Sequence, residues 1–445
     1  MFQNESNKLN HIMQNNLIDK QLVDTTMAQC GVSNLDDASI RDTVKIANLL
    51  EKATGEKFIR MEMGVPGLAP SRIGTEAEIE ALKHGVAQFY PMLEGYPVLS
   101  EEASRFVKNF MDVDIRPEGI IPTVGAMQAS YVAFMALTEC HKGKDTILFI
   151  DPGFPVQKTQ LEVIGKPYQT FDIYEYREEK YLDRGNIAGI VYSNPNNPSW
   201  VCLTDFELQV IGKLATEYDT IILEDLAYFA MDFRKDLSHP GKAPFQPTVA
   251  KYTDNYIFMI SSSKLFSYAG QRLGLLCISD ALFHKKYEHL KERYKADKLG
   301  YTITYKLIYT QTSGTAHSPQ YAVAAVLKAA NEGRINILTD VREYGKRAEI
   351  MKTLYKNAGF KVVYDKDGHE DVADGFYFTI YYPGMTGAEL AKELLYYGIS
   401  SITLKGCGST REGLRACVSQ VGLDQMDTLK DRIERFAKDH TPIES

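Results

Sequence analysis

The chain has 445 residues, of which 44% are hydrophobic and 24% are charged, and its formal net charge is −8. This length predicts a large and a small domain, and an acidic balance without a basic block disfavours a nucleic-acid partner. No apolar run is long enough for a membrane span and no export signal is visible, so we expect a cytoplasmic protein. The scattered cysteines lack metal-ligand spacing, so we expect reduced core thiols and no metal site.

Near the N-terminus, residues 38–54 carry apolar side chains at helical spacing, namely Ile40, Val44, Ala47 and Leu50. This spacing predicts an amphipathic helix. We expect it to pack on the same small domain as the C-terminal part of the chain.

From about residue 75 to 325, short apolar runs alternate with helical patterns, which is typical of βαβ units in a mainly parallel sheet covered on both faces. Polar residues such as Asn194, Asp225 and Ser261 end several runs, and ligands gather at the carboxyl ends of strands in such sheets. The strand candidates are 145–151, 189–194, 220–225, 256–262 and 273–279.

After about residue 320 a long helical stretch precedes short strand candidates at 360–365, 375–382 and 414–421. This pattern indicates a smaller α+β domain. We therefore predict a large domain over 75–325 and a small domain built from 1–74 and 326–445.

The segment SSSKLFSYAGQRLG, residues 261–274, places Lys264 directly after a predicted strand and Arg272 eight positions later. A buried lysine near other cations favours the neutral amine that can attack an aldehyde. Ser261, Ser263 and Arg272 offer hydroxyl donors and a guanidinium suited to a phosphate. The alternative is a solvated lysine and a structural arginine in a loop.

This segment resembles the lysine-attachment signature of the class I/II aminotransferases, which are pyridoxal-phosphate (PLP) enzymes of fold type I. The small residue Ser263, Gly270 and the Arg272-Leu273-Gly274 run follow the family pattern, whereas Ser262 and Tyr268 depart from it. The resemblance implies a three-layer α/β fold, a Schiff base between Lys264 and PLP, and a phosphate bound by Ser261, Ser263 and Arg272.

Further motifs follow in the family's order. The segment EDLAY resembles the Asp-x-Ala-Tyr motif, which implies that Asp225 pairs with the ring nitrogen of PLP and that Tyr228 bonds the ring hydroxyl. The doubled Asn-Pro turn at 193–200 implies that Asn197 contacts the ring hydroxyl and borders the substrate. Ser199-Trp200 replaces the usual Thr-Gly there, and we expect Trp200 near the rim of the site.

The turn before a predicted helix at Gly125, Ala126 and Met127 offers free backbone N–H groups, which in the family hold the phosphate from its other side. Phe154, in DPGFPVQ, is the candidate to stack on the cofactor ring. Tyr90 matches the tyrosine that in relatives reaches the phosphate of the neighbouring subunit. The resemblance therefore implies a homodimer with shared active sites.

GLRACVSQV, residues 413–421, is similar to the family segment whose arginine binds the substrate carboxylate, which makes Arg415 the candidate and Arg411 the competing choice. Gly64 matches a glycine that lets the backbone approach the substrate. The implied reaction transfers an amino group from an L-amino acid to a 2-oxo acid, with Lys264 moving the Cα proton.

Alternatives stay open because several reactions use the same residues. A PLP-dependent lyase or amino-acid decarboxylase would share the lysine, the aspartate and the phosphate contacts. A non-catalytic regulator with an aminotransferase-like domain is the remote alternative, and it needs a basic DNA-binding arm that the residues before Gly64 do not offer.

Overall fold

The computed structural model describes residues 16–172 and 186–442. Short apolar runs bounded by turns form the strands, as expected for buried β-structure. Within the described ranges the strands are β1 (Ile59–Arg60), β2 (Ile120–Val124), β3 (Thr146–Asp151), β4 (Tyr168–Asp172), β5 (Ile187–Ser193), β6 (Ile221–Leu226), β7 (Tyr256–Ser261), β8 (Leu273–Ile278), β9 (Lys361–Val362), β10 (Lys366–Asp367), β11 (Glu370–Asp371), β12 (Tyr377–Tyr381), β13 (Ile399–Ser400), β14 (Ile402–Thr403) and β15 (Leu414–Cys417).

Most helices bury apolar side chains in the hydrophobic cores, against the strands and against one another. In the described residues they are α1 (Lys20–Gln29), α2 (Ile40–Thr54), α3 (Arg72–Lys83), α4 (Pro97–Met111), α5 (Gly125–Leu137), α6 (Pro155–Ile164), α7 (Asp205–Glu217), α8 (Ser262–Leu265), α9 (Asp280–His284), α10 (Glu288–Tyr294), α11 (Leu299–Thr302), α12 (Tyr309–Thr312), α13 (His317–Asn331), α14 (Arg342–Asn357), α15 (Gly387–Tyr396) and α16 (Met426–Asp439). Helices α11 and α12 are continuous through a π-helical stretch, Ile303–Ile308.

The large sheet has the strand order β2-β8-β7-β6-β5-β3-β4. Strands β3 to β7 run parallel, and β8 is antiparallel to both of its neighbours, β2 and β7. The expected α/β fold with a mainly parallel sheet is confirmed. The reversed direction of β8 was not predicted, because a strand buried on both faces has the same apolar composition in either direction.

Both faces of this sheet are covered. Along β6, Ile222 and Leu226 enter one hydrophobic core, whereas Ile221 and Leu223 enter the other. This alternation follows from the two-residue period of a strand. The carboxyl ends of β5, β6 and β7 are thereby held side by side, with Ser193 paired in register with Asp225.

A smaller antiparallel sheet, in the order β14-β15-β12-β9, forms from the C-terminal segment. The N-terminal segment packs with the C-terminal segment, because β1 pairs in parallel with β13 in a separate two-stranded sheet and the backbone N–H groups of Leu17 and Ile18 each donate to Tyr396 O at 2.9 Å. The division into domains at residues 75 and 325 stays a prediction.

Among the described residues, no helix combines the length and the apolar character that a membrane crossing requires. The cysteines are free thiols, and those at 140, 202, 277, 407 and 417 are buried.

Candidate active site

A cavity of about 210 Å³ opens at the carboxyl ends of β5, β6 and β7. Every residue that the sequence predicted for the site lines it, except Gly125, Tyr90, the alternative Arg411 and Trp200. The lining residues are Ile40, Gly64, Ala126, Met127, Phe154, Gln157, Ser193, Asn197, Asp225, Ala227, Tyr228, Ser261, Ser263, Lys264, Arg272, Tyr377 and Arg415.

Lys264 lies on the short helix α8, which begins directly after β7. Ser261 caps this helix by accepting a hydrogen bond from Ser263 N at 3.2 Å, so the Ser261 hydroxyl keeps its own hydrogen to donate. Lys264 Nζ donates to the backbone oxygen of Gly64. Burial lowers the pKa of Lys264 to about 8, with Arg415 and Arg272 acting in the same direction. The amine is thus brought close to its nucleophilic form near neutral pH.

Asp225 is the buried acid of the cavity. Its Oδ1 accepts from Ala227 N at 3.0 Å and its Oδ2 accepts from Gln157 Nε2 at 2.9 Å. Burial raises the pKa of Asp225 to about 6, against the opposing effect of these two hydrogen bonds. The carboxylate is therefore oriented by neutral donors, and it can still hold a nearby cation.

Arg415 lies on β15 with only 1% of its surface exposed. Its Nη1 donates to Asn197 Oδ1 at 3.3 Å, its Nη2 donates to Glu62 O at 2.5 Å, and its Nε has no hydrogen-bond partner among the described residues. A buried guanidinium that meets only neutral acceptors is unfavourable unless an anion joins it. Arg415 is therefore suited to bind a carboxylate that enters the cavity.

A second anion cradle lies at the start of α5. No side chain of the described residues caps this helix, so its first N–H groups are available to an anion. Gly125 has φ +67°, and a Cβ there would lie 2.5 Å from Arg272 Nη2. The glycine therefore allows the guanidinium to approach the helix N-terminus closely, and the two features together suit a phosphate.

Besides Gly125, three predicted positions lie outside the cavity lining. Tyr90 is 88% exposed to solvent. Arg411 is also exposed, and it stacks on Tyr364 with its guanidinium 5.0 Å from the ring centroid. Trp200, expected near the rim, is instead completely buried behind Tyr228 and Tyr377. That expectation was wrong because the turn directs the indole into the protein interior.

The cavity also contains residues that the sequence did not single out. Gln157 follows Phe154 by three residues, and this helical spacing in the DPGFPVQ segment is the signal that could have revealed it. Tyr377 is on β12, far along the chain from the other motifs, and its hydroxyl lies 2.7 Å from that of Tyr228. No local pattern marks Tyr377.

A family model described as aminotransferase class I and II matches residues 57–433. An aspartate aminotransferase of Pyrococcus horikoshii is 29% identical over 240 residues, which cover 52% of this chain and 59% of that protein. A probable aspartate aminotransferase of Methanocaldococcus jannaschii is 22% identical over 348 residues, which cover 73% of this chain and 87% of that protein.

Solved structures show the same architecture. Alanine aminotransferase from Pyrococcus furiosus matches with a TM-score of 0.72 and 22% identity, over 90% of this chain and 97% of that one. Aspartate aminotransferase from Thermotoga maritima matches with a TM-score of 0.73 and 19% identity, over 93% of this chain and 99% of that one. The chain therefore belongs to the class I and II aminotransferase family, which is PLP-dependent in general, and it has the fold of type I PLP enzymes.

Proposed function

We propose that this chain is a PLP-dependent aminotransferase that transfers an amino group from an L-amino acid to a 2-oxo acid. The observation that carries the proposal is the charge of the cavity. Three cationic side chains line the cavity, namely Lys264, Arg272 and Arg415. Asp225 is the one acidic side chain among the described lining residues. Two anions would balance these cations, and a cofactor phosphate and a substrate carboxylate are the pair that the two cradles suit.

The residues present fit PLP at each of its polar groups. The N-terminus of α5, including Ala126 and Met127, would hold the phosphate together with Arg272 and the hydroxyls of Ser261 and Ser263. Asp225 would hold the proton on the ring nitrogen, Tyr228 and Asn197 would donate to the ring hydroxyl, and Phe154 would stack on the ring. Lys264 would bond the aldehyde carbon. When bound, PLP supplies the electron sink for the Cα–H bond that breaks.

The protein's own groups then bind, orient and move a proton. Arg415 holds the substrate carboxylate, and this fixes the direction of the Cα–H bond. Lys264 Nζ, in its neutral form, accepts the Cα proton as general base and returns it. The carbonyl of Gly64 accepts a hydrogen bond from that amine and so limits where it can point.

A reconstitution experiment tests this proposal. The purified chain, incubated with PLP, should gain a visible absorbance band, and borohydride reduction followed by peptide mass spectrometry should identify the adduct on Lys264. A screen of amino donors should yield a 2-oxo acid only when an amino acceptor is present. Ammonia or carbon dioxide released without an acceptor would instead indicate a lyase or a decarboxylase.

We also propose a homodimer in which Tyr90 of each subunit completes the phosphate site of the other. Phe89, Tyr90 and Met92 are 61%, 88% and 62% exposed. A cluster of exposed apolar side chains is typical of a protein interface, and a second copy of the chain would cover it. The cytoplasmic location stays a prediction from the sequence.

A further inference from the structure

Trp200 adopts a backbone conformation that is unusual for its residue type. Its φ of +64° lies in the left-handed region, where the side chain of an L-residue other than glycine is strained. The family motif that this turn resembles has a glycine at the same position. The strain must therefore be offset by what the indole contacts.

The indole occupies a slot that only a glycine can leave open. A Cβ on Gly375 would lie 2.0 Å from Trp200 Cε2 and 2.1 Å from Nε1. Residues 200 and 375 are far apart in sequence, yet the indole at 200 fits only because residue 375 has no Cβ. Trp200 is fully buried, and its Nε1 has no hydrogen-bond partner among the described residues, so its contribution comes from ring packing.

The residues that the indole packs against are those of the candidate site. Its ring makes edge contacts with Tyr228 and Tyr377, at centroid distances of 5.3 and 6.1 Å. The Tyr377 ring in turn lies 4.6 Å from the guanidinium carbon of Arg415. The indole therefore contacts Tyr228 directly and is linked to Arg415 through the Tyr377 ring.

The tyrosine pair also fixes a hydrogen. Burial raises the pKa of both hydroxyls above their usual value, so both stay protonated at neutral pH. The hydroxyls bond each other at 2.7 Å. The bond uses one hydrogen of the pair, and either hydroxyl can donate it. When Tyr377 is the donor, the Tyr228 hydrogen is left to donate into the cavity, which both tyrosines line.

We propose that Trp200, packed against Gly375, is a positioning residue that fixes Tyr377 and Tyr228. The Tyr377 ring then holds the Arg415 guanidinium in place. The Tyr377 hydroxyl, donating to Tyr228, directs the Tyr228 hydrogen into the cavity. This inference rests on the proposed function for the identity of the ligands. In this proposal the Tyr377 ring supports carboxylate binding by Arg415, and the Tyr377 hydroxyl orients the Tyr228 hydroxyl. Trp200 affects carboxylate binding through Tyr377.

Binding of 2-methylalanine to the PLP-loaded protein tests the proposal. This amino acid lacks a Cα hydrogen, so the test reports carboxylate binding without proton transfer. Trp200→Phe should raise its Kd about fivefold, as expected for the loss of one aromatic contact, and Tyr377→Leu should do the same. Tyr377→Phe keeps the ring, so its Kd should stay within about twofold of the original protein's. All three variants should shift the pH midpoint of the visible absorbance.

The double variant Trp200→Phe/Tyr377→Leu distinguishes a path through Tyr377 from independent effects. If Trp200 acts through Tyr377, the double variant should bind 2-methylalanine no more weakly than Tyr377→Leu alone. Phe436→Leu removes part of a buried ring remote from the cavity, and it should change neither the Kd nor the absorbance midpoint.

The proposal is overturned if Trp200→Phe behaves like Phe436→Leu, or if the two changes in the double variant are additive. If Trp200→Phe does not fold, an unchanged Kd in Tyr377→Leu overturns it. Failure of the proposed function looks different, since the unmodified chain would then form no PLP adduct on Lys264 and no 2-oxo acid.

Discussion

Asp225 and its acidic neighbour Glu224 can be compared to show what distinguishes a functional buried acid from a structural one. Consecutive residues of a strand point to opposite faces of the sheet, and Asp225 lines the cavity whereas Glu224 accepts from Tyr192 OH at 3.1 Å and from Thr248 Oγ1 at 2.5 Å. Both acids are buried, and burial raises the pKa of Glu224 to about 7 and that of Asp225 to about 6. Burial alone therefore does not mark the functional acid, and contact with the cavity does.

Replacing each acid by its amide separates the two roles. Asp225→Asn cannot hold a proton on the ring nitrogen, so kcat should fall by about 100-fold or more. Glu224→Gln keeps groups that can bond Tyr192 and Thr248, and kcat should stay within about threefold of the original value. Steady-state kinetics with a donor from the screen measures both. Equal losses would mean that Asp225 has only a structural role.

The charge of Lys264 makes the stability of the PLP-free protein depend on pH. Its pKa in the folded chain, about 8, lies below the ordinary value of 10.5, so between these values the unfolded chain binds more protons and stability rises with pH. Below pH 8 the full cost of the buried charge is present. Lys264→Met should therefore raise the free energy of unfolding by about 3 kcal/mol at pH 7, and by about 1 kcal/mol at pH 10.

Urea denaturation of the PLP-free proteins at the two pH values measures this difference. Lys45→Met changes an exposed lysine of α2 and is the control for replacing a lysine at the surface. A gain from Lys264→Met that does not shrink at high pH would show that it comes from side-chain packing and not from the charge.

Arg415 and Arg411 can be compared by the same substitution. A lysine at 415 replaces the planar fork by a point charge, so KM for the amino donor should rise by about 30-fold or more. Arg411→Lys changes an exposed side chain that donates to Val363 O at 3.3 Å, and KM should change less than about twofold. The opposite ranking would move carboxylate binding to Arg411.

At the scale of elements, helix α2 connects a local cap to the cavity. Ser39 N donates to Asp42 Oδ2 at 3.0 Å and Asp42 N donates to Ser39 Oγ at 3.2 Å. Ile40, the residue after Ser39, lines the cavity. The same reciprocal cap occurs on α15 between Thr386 and Glu389, away from the cavity. These two helices therefore allow a matched comparison.

Ser39→Ala and Thr386→Ala should each lower the free energy of unfolding by about 1 kcal/mol, because each removes one N-terminal cap. Only Ser39→Ala should also raise KM for the amino donor, by about threefold, since fraying of the first turn of α2 displaces Ile40. Denaturation and steady-state kinetics measure the two effects. An equal change of KM in both variants would exclude a role of Ile40 in substrate binding.

The strands and helices were largely predictable because their signals are local. The runs predicted at 145–151 and 256–262 became β3 and β7 with ends within a residue, and the helical pattern of 38–54 became α2. Period and composition carry this information. The residues around Lys264 and Asp225 were predictable for a similar reason, since each motif lies within a few residues of one strand end.

Contacts between distant segments could not be predicted in this way. The slot at Gly375, the hydroxyl pair of Tyr228 and Tyr377, and the approach of Arg272 to Gly125 each depend on how separate elements pack. The sequence showed that Trp200 departs from the family motif, yet it gave no direction for the side chain. A residue in the left-handed region points its side chain in a different direction from the same residue in extended or helical backbone. Tertiary packing decides whether a residue such as Trp200 adopts that conformation.

At the scale of the whole molecule, Tyr90 decides whether one chain holds a complete site. It matches a phosphate-binding residue by sequence, yet in a single chain it is exposed outside the cavity lining. In a two-fold symmetric dimer each subunit would lend Tyr90 to the other. Light scattering should then give twice the mass of the chain, and Tyr90→Ala should weaken PLP binding, whereas Phe206→Ala, at an exposed ring on α7, should not.

Hybrid dimers test the sharing directly. In a dimer of one Lys264→Ala chain and one Tyr90→Ala chain, one site carries both defects and the other carries neither. Random pairing makes half of the dimers hybrids, so about a quarter of all sites should be intact. Co-expressed chains should therefore recover about a quarter of the original turnover at limiting PLP, well above either variant alone. If no activity returns in the mixture, Tyr90 acts only within its own subunit and the shared site is wrong.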